Sequence, residues 1–338
     1  MLDVTSDQPL LEVKDVRVDF RTIGGSLSAV RGNSFSIYKG ETMSIVGESG
    51  SGKSVTARAI MQMLADNATV GEETEVLFKG EDLMKYSEPE MQKIRGDRIT
   101  MIFQEPLTSL NPIYRIGDQV AEIILAHRNI SKAEAKTEVI RLLNEVQIPD
   151  PEARFAQYPH QLSGGLRQRV MIAMALMCEP ELIIADEPTT ALDVTIQAQI
   201  LRLLVDLGRE MNMAMILITH DLGVVARVAD KVAVMYAGEL VETGSATQVF
   251  NAPMHPYTRG LLRCIPQPGK TERGAKLGTI PGIVPSLVGG IEGCPFRTRC
   301  DQAIDSCRND IPRRVAGEDH LFRCVHENGY RSAAEVPA

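Results

Sequence analysis

Apolar and polar residues alternate over Leu11–Phe20 (LEVKDVRVDF), which predicts a half-exposed strand, and Ser34–Tyr38 predicts a second. Five short apolar runs, Met43–Val46, Ile99–Phe103, Leu182–Ala185, Ala214–Thr219 and Val232–Tyr236, have the length and composition of fully buried strands. Between several of them the period lengthens to that of a helix, over Ser54–Leu64, Ser131–Val146, Gly164–Leu176 and Thr195–Met211. Strands alternating with helices imply an α/β fold with a mostly parallel sheet covered on its faces. The stretch from about residue 105 to 176 is mainly helical and lies between two sheet strands, as an inserted helical subdomain would. After residue 250 the character changes. Residues 265–293 carry Pro266, Pro268, Pro281, Pro285 and many glycines with little periodicity, and read as a loop-rich connector.

The 338 residues leave room for one large domain and a smaller one, and 44% hydrophobic with 24% charged residues is an ordinary globular balance. The longest unbroken apolar run, Val170–Cys178, is nine residues. A membrane-spanning helix needs about 20, so any membrane role is expected to be shared with other subunits. Met1–Leu11 has no basic residue ahead of an apolar core, unlike a secretory signal, and a cytoplasmic location is expected. A net charge of −8 argues against a nucleic-acid partner, since phosphate backbones want a basic face.

Gly47-Glu48-Ser49-Gly50-Ser51-Gly52-Lys53-Ser54 has the spacing G-x-x-x-x-G-K-[ST], and it follows a predicted strand and opens a predicted helix. In that context the backbone at Gly47, Ser49, Gly50 and Gly52 can turn N–H groups inward around a phosphate chain, at the positive end of a helix. Lys53 can reach the outer phosphates, and the Ser54 hydroxyl can ligate Mg²⁺. Further on, the run Leu182–Ala185 ends in Asp186 and Glu187. A carboxylate at such a strand end can hold Mg²⁺ or its waters, and Glu187 is placed to polarise the attacking water as general base. Two adjacent acids at a strand end are often just a solvated turn; the glycine loop is what gives this pair its meaning.

Leu162-Ser163-Gly164-Gly165-Leu166-Arg167-Gln168-Arg169 decides among phosphate-loop enzymes. By itself it is a second anion site, a serine hydroxyl and glycine N–H groups at a helix start. It resembles the signature motif of the ATP-binding-cassette (ABC) ATPases, with Leu166 where the common form has Gln. The resemblance implies roles for further residues. Gln104 matches the glutamine that senses Mg²⁺ and the attacking water, and His220 matches the histidine at the γ-phosphate. Ala191-Leu192-Asp193 matches a loop that crosses to the partner's site, and Phe20 lies where an aromatic stacks on adenine. It also implies a head-to-tail pair of ATPase subunits, so that Ser163, Gly165 and Asp193 serve the partner's ATP. The implied fold is a phosphate-loop cassette with a mostly parallel core sheet, an antiparallel β subdomain and an inserted helical subdomain.

Residues 104–112 (QEPLTSLNP), 235–238 (MYAG) and 255–258 (HPYT) are similar to the dipeptide, oligopeptide and nickel importer ATPases, over roughly residues 10–324. The implied partners are a second, related ATPase subunit, two transmembrane permease subunits and an extracytoplasmic solute-binding protein, with this chain at the cytoplasmic face of the inner membrane. Relatives of this group import mainly peptides. Soluble ABC ATPases that act on DNA or ribosomes form a rival class, but they carry a coiled-coil insertion or two cassettes in one chain. A redox or metal module regulated by ATP is a second rival; it would need the cysteines below to dominate.

Cys294, Cys300, Cys307 and Cys324 are spaced C-x5-C-x6-C-x16-C. Four thiolates suit a tetrahedral Zn²⁺ site or a [4Fe–4S] cluster. The C-x2–4-C pairs usual for zinc are absent, packing cysteines remain a third reading, and the importer relatives carry a similar iron–sulfur segment. Arg297, Arg299 and Arg323 stand beside these cysteines and are expected to offset the negative charge of a cluster. The expected division is an ATPase domain over 1–250, with its helical subdomain near 105–176, and a small irregular Cys-rich domain over 251–338. Loss of a cluster is expected to loosen the C-terminal segment and to affect ATP hydrolysis less, because no phosphate-contacting residue is expected beyond His220.

Overall fold

The computed structural model describes residues 8–104, 109–189, 193–264, 278–327 and 329. In chain order the strands and helices are β1 (Leu11–Thr22), β2 (Gly25–Ile37), β3 (Thr42–Val46), α1 (Lys53–Ile60), β4 (Ala68–Val70), β5 (Glu75–Phe78), β6 (Glu81–Asp82), α2 (Glu88–Ile94) and β7 (Ile99–Ile102). There follow α3 (Ile116–His127), α4 (Lys132–Glu145), α5 (Pro151–Phe155), α6 (Gly164–Leu176), β8 (Leu182–Asp186), α7 (Val194–Glu210) and β9 (Ala214–Ile218). The chain ends with α8 (Leu222–Val228), β10 (Lys231–Tyr236), β11 (Glu239–Ser245), α9 (Ala246–Asn251), α10 (Pro256–Arg263), β12 (Arg313–Val315) and β13 (Leu321–Arg323). Among the described residues no helix is long and apolar enough to cross a membrane.

Two compact units make up the chain. One is built mainly from Lys85–Ile218, and the other from Leu11–Ser36, Met43–Met84 and the chain from Thr219 on. In the first, β7, β8 and β9 run parallel, with Ile99 opposite Leu182 and Leu182 opposite Ala214. β8 and β9 are buried at every position, which is why they read as unbroken apolar runs. The helices between β7 and β8 follow the helical period closely. α4 buries Ala135, Val139, Leu142 and Leu143 along one face. Its start is fixed by a capping box, Ser131 N–H donating to Glu134 and Glu134 N–H to the Ser131 hydroxyl. α6 is buried on most sides and keeps its place through Arg169, which donates to the Val146 carbonyl at 2.7 Å.

In the second unit β1 is the centre of an antiparallel sheet in the order β2-β1-β5-β6, with β4 also paired to β1. In the other sheet β10 lies parallel to β3 and antiparallel to β11, which pairs in turn with β13, and β13 with β12. The C-terminal segment therefore extends a cassette sheet, and it shares its core too. Phe296 packs in one cluster with Val46, Val234, Tyr236 and Tyr257. Its ring meets that of Tyr236 edge-on at 5.3 Å and that of Tyr257 at 5.4 Å, within the range where aromatic pairs attract.

Most predicted elements are present within a residue or two. α1 stops at Ile60 rather than Leu64, because Gln62 turns left-handed (φ +48°) and its N–H donates to the Ala59 carbonyl. The pattern along the sequence did not disclose β4, β5, β6, β11, β12 or β13, nor the part of β2 before Ser34. Strands of two to four residues show no readable period and are held by their neighbours.

His255 opens α10 by accepting the Tyr257 N–H at Nδ1, which only a ring unprotonated there can do. Burial lowers its pKa to about 4, with Glu242 opposing that shift and Arg323 reinforcing it. A folded pKa below the unfolded value means that the unfolded chain binds the extra proton first. Stability conferred by neutral His255 is thus present above pH ~6.5 and lost as pH falls towards 4, by roughly 3 kcal/mol in total. Thermal melts of wild type and His255→Asn between pH 7.5 and 4.5 check this: the variant, whose amide can still cap, should lose distinctly less stability on acidification.

Candidate functional site

Gly47 follows the last residue of β3 and Lys53 begins α1, so the glycine-rich segment is the whole strand-to-helix turn. Gly47 (φ +155°) and Gly52 (φ +103°) take backbone forms that residues with a Cβ rarely adopt, and a Cβ on either would strike main chain, Met235 O and Ala29 O respectively. The turn is held from outside as well. Gly238 N–H donates to the Ser51 carbonyl at 2.9 Å, while the Gly238 carbonyl accepts from Arg31 N and from Asn33 Nδ2. The 235–238 segment is therefore a brace between β2 and the loop. Lys53 is buried, and its ammonium donates to the carbonyls of Gly47 and Glu48, each at 2.9 Å. Thr56 closes the first turn of α1 on the Gly52 carbonyl through both N–H and hydroxyl.

Three features of the loop's surroundings were not anticipated. Glu48 N–H donates to the Tyr257 phenol at 2.9 Å. The Glu48 carboxylate accepts both arms of the Arg299 guanidinium, at 2.7 and 3.0 Å. Arg299 also donates to the Tyr236 hydroxyl at 3.3 Å. Arg299 is thus engaged by Glu48, which holds its pKa above the ordinary arginine value, rather than standing ready for a cluster. Arg323 pairs with Glu239 at 3.3 Å, and Arg297 donates to the carbonyls of Glu292 and Cys294. The HPYT segment was noticed only as a family likeness; nothing in the pattern linked Tyr257 or Arg299 to a loop more than two hundred residues away.

Phe20, near the end of β1, is half-buried and stands opposite Ala68 of β4. Thr219 N–H donates to the Ile45 carbonyl of β3, and His220 follows it, exposed, before Asp221 caps α8. These residues belong to the same unit as the phosphate loop.

In the other unit Asp186 is the buried last residue of β8. Glu187 lies beyond it in a left-handed conformation (φ +46°), its N–H donating to the Ile218 carbonyl of β9 at 2.9 Å. Gln104, two residues past β7, donates its amide to the Glu187 carboxylate at 3.2 Å. The strand pairings β7–β8–β9 are what bring these side chains together. Ser163 caps α6, its hydroxyl accepting the Leu166 N–H at 3.4 Å; Ser163 and Gly164 are exposed, and Gly165 is half-buried against Ile196. Asp193 caps α7 through the Ile196 N–H. Ala191 and Leu192, with Glu105–Thr108 of the 104–112 motif, lie outside the described residues.

The four C-terminal cysteines are unpaired thiols. Cys294 N–H donates to the Cys307 carbonyl at 2.8 Å, Cys307 sits in a short 3-10 turn, and Cys324 directly follows β13. Burial pushes the Cys294 thiol up to about 12, with Cys307, Cys300 and Cys324 adding to the shift, so each of the four lies in the others' field. Burial also raises Cys300 to about 11 and raises Cys324. Among the described residues no group of three or more His, Cys, Asp or Glu is arranged to hold a metal ion.

A strand–glycine loop–helix with a buried lysine, a parallel strand ending in two acids, and a serine-capped glycine helix start together define a nucleotide-binding cassette. The family description "ABC transporter" matches residues 30–190, and "Oligopeptide/dipeptide transporter, C-terminal region" matches 241–307. The dipeptide transport ATP-binding protein DppD of Bacillus subtilis is 50% identical over 318 residues, 94% of each chain. The oligopeptide transport ATP-binding protein OppD of Escherichia coli is 52% identical over 315 residues, 93% of this chain and 92% of that one. Among solved structures, the dimeric ATP-binding cassette MJ0796 bound to ADP and Pi superposes with a TM-score of 0.62 at 30% identity, covering 70% of this chain and 98% of the other. The chain belongs to the ABC ATPases, in the oligopeptide/dipeptide transporter family.

Glu187→Gln is expected to bind ATP as the wild type does while turnover falls by at least about a hundredfold, because a neutral amide cannot take a proton from water. Lys53→Ala should instead weaken nucleotide binding itself. Equilibrium binding of a labelled nucleotide beside phosphate release separates the two effects, and wild-type turnover in Glu187→Gln would remove Glu187 from the role of base.

Proposed function

We propose that this chain is the ATP-hydrolysing subunit of an importer of di- or oligopeptides. The observation that carries this reading is the identity of 50–52% to the two peptide-transport ATP-binding proteins along more than nine-tenths of all three chains. In the proposed reaction the backbone N–H groups of Gly47, Ser49, Gly50 and Gly52, with Lys53, bind the phosphates of ATP, and Phe20 stacks on adenine. Ser54, Asp186 and Gln104 would hold Mg²⁺, which would supply neutralisation of phosphate charge. Glu187 takes a proton from water as its oxygen attacks the γ-phosphorus, the bond to ADP breaks, and His220 contacts the γ-phosphate. What supports Glu187 as base is its strand-end position and the hydrogen bond from Gln104, which orients the carboxylate.

Ser163, Gly165 and Asp193 would serve the ATP of a second ATPase chain, as the exposure of Ser163 and Asp193 permits. That second chain is read as a related subunit rather than a copy. Two permease subunits and an extracytoplasmic solute-binding protein complete the assembly, with this chain at the cytoplasmic face of the membrane. The proposed division is a cassette over 1–250, with a helical subdomain near 105–176, and a C-terminal domain over 251–338.

Purified with these partners in vesicles, the complex should hydrolyse ATP several times faster when a di- or oligopeptide is supplied with the solute-binding protein. Ser163→Ala in this chain should lower that rate and leave nucleotide binding at Lys53 intact. Stimulation by nickel or a sugar and not by peptides would overturn the substrate class.

The proposal extends to the cysteines: Cys294, Cys300, Cys307 and Cys324 are read as the thiolate ligands of a [4Fe–4S] cluster. Its support is the all-sulfur donor set and the spacing of the four cysteines in the sequence; among the described residues the four are not arranged as a metal-holding group. Such a cluster would tie the turn at Cys307 to the loop at Cys294 and to the end of β13, a structural role. Protein purified without oxygen should hold about four irons and four sulfides per chain, and any one Cys→Ser change should bleach it. Stoichiometric zinc without iron, or no metal at all, would refute the cluster.

A further inference from the structure

Glu48 is part of the phosphate loop, yet three of its polar groups are held by neighbouring side chains. Its N–H donates to the Tyr257 phenol, its carbonyl accepts from Lys53, and its carboxylate accepts the forked guanidinium of Arg299. Arg299 is itself fixed. Nε donates to the Pro281 carbonyl at 2.8 Å and Nη2 to the Ile280 carbonyl at 3.1 Å, while the guanidinium lies 5.8 Å from the centre of the Tyr236 ring. Its side chain is only 4% exposed, against 28% for Glu48. A planar fork seated in this way aims two bonds at one carboxylate, which a lysine cannot do. Tyr257 and Phe296, which both precede Arg299 in sequence, belong to the same aromatic core. The segment that supplies Tyr257 and Arg299 lies within the C-terminal region matched at 241–307.

We propose that Arg299 and Tyr257 are positioning residues for nucleotide binding: through Glu48 they hold the phosphate loop in its phosphate-accepting form, so the C-terminal region sets ATP affinity. The inference rests on the ATPase reading above. A loop built on glycines has other backbone forms within reach, and a protein whose competent form is only fractionally populated binds more weakly by that fraction. Releasing the clamp lowers the competent fraction without touching Glu187 or His220. Affinity should fall while the chemical step keeps its rate.

The test uses the full-length chain, with the dissociation constant measured by titrating a fluorescent ATP analogue with Mg²⁺, and KM and kcat measured in the assembled complex. Arg299→Gln should raise the dissociation constant and KM about tenfold with kcat within about twofold, corresponding to a competent fraction near a tenth. Tyr257→Phe deletes one oxygen and should raise both about fivefold; it carries the test should Arg299→Gln not fold. Arg299→Lys should fall between wild type and Arg299→Gln. Glu48→Gln combined with Arg299→Gln should be no worse than the weaker-binding single variant, as expected for one shared interaction. Wild-type affinity in folded Arg299→Gln and Tyr257→Phe, or a loss confined to kcat, would overturn the proposal. A wild-type chain that binds no ATP would instead defeat the ATPase reading itself.

Discussion

The constraint on which the nucleotide-binding unit depends is the abrupt passage of the chain from strand to helix through a glycine-rich turn. Between Val46 and Lys53 the chain leaves a strand and enters a helix in six residues, three of them glycines at positive φ. A turn of this kind has little packing of its own, so its shape has to come from neighbours. Three supply it: the Gly238 N–H on Ser51, the Lys53 ammonium on Gly47 and Glu48, and the Tyr257–Arg299 pair on Glu48. Each comes from a different part of the sequence, and β10, which runs parallel to β3, brings the first of them within reach.

Strand termini do the corresponding work in the other unit. β7, β8 and β9 are parallel, so their C-terminal ends lie on one edge. Gln104 and the pair Asp186–Glu187 follow those ends. The left-handed turn at Glu187 bends the chain as it leaves β8, with its N–H fixed on β9 and its carboxylate receiving the Gln104 amide. A positive φ at a residue with a side chain is strain, and strain of this sort persists only where surrounding bonds over-determine it. Here the surrounding bonds are a strand pairing and a side-chain hydrogen bond.

Much of this was legible in the amino-acid sequence, and the reason is local. The phosphate loop, the acids after Leu182–Ala185 and the serine-capped start of α6 are each short motifs whose chemistry and secondary structure are specified by adjacent residues. Buried strands read as apolar runs, and α4 read as a helix from its spacing of Ala135, Val139 and Leu142. What stayed hidden is non-local. β12 and β13 are three residues each and exist because β11 has an edge to extend. Arg299 looked like a charge beside cysteines, since nothing in its neighbourhood names Glu48, 251 positions earlier, as its partner. The sequence reading places no phosphate-contacting residue beyond His220, and Tyr257 and Arg299 reach the loop at Glu48 rather than contacting phosphate themselves.

The contacts with Glu48 bear on the role proposed for the C-terminal region. A tail that only docks on other subunits would need contacts with its cassette sufficient to stay attached, and the pairing of β13 with β11 supplies those. The aromatic cluster and the Arg299 fork go further. They place a buried, multiply bonded charge on Glu48, the second residue of the phosphate loop. A buried ion pair contributes little net stability over an apolar equivalent, and its attested use is to specify one arrangement among several. Arg299, held by carbonyls at Ile280 and Pro281 and by the Tyr236 hydroxyl as well as by Glu48, has the bonding of such a device. The arrangement it specifies is that of the loop, which joins the region carrying the cysteines to the place where ATP is proposed to bind.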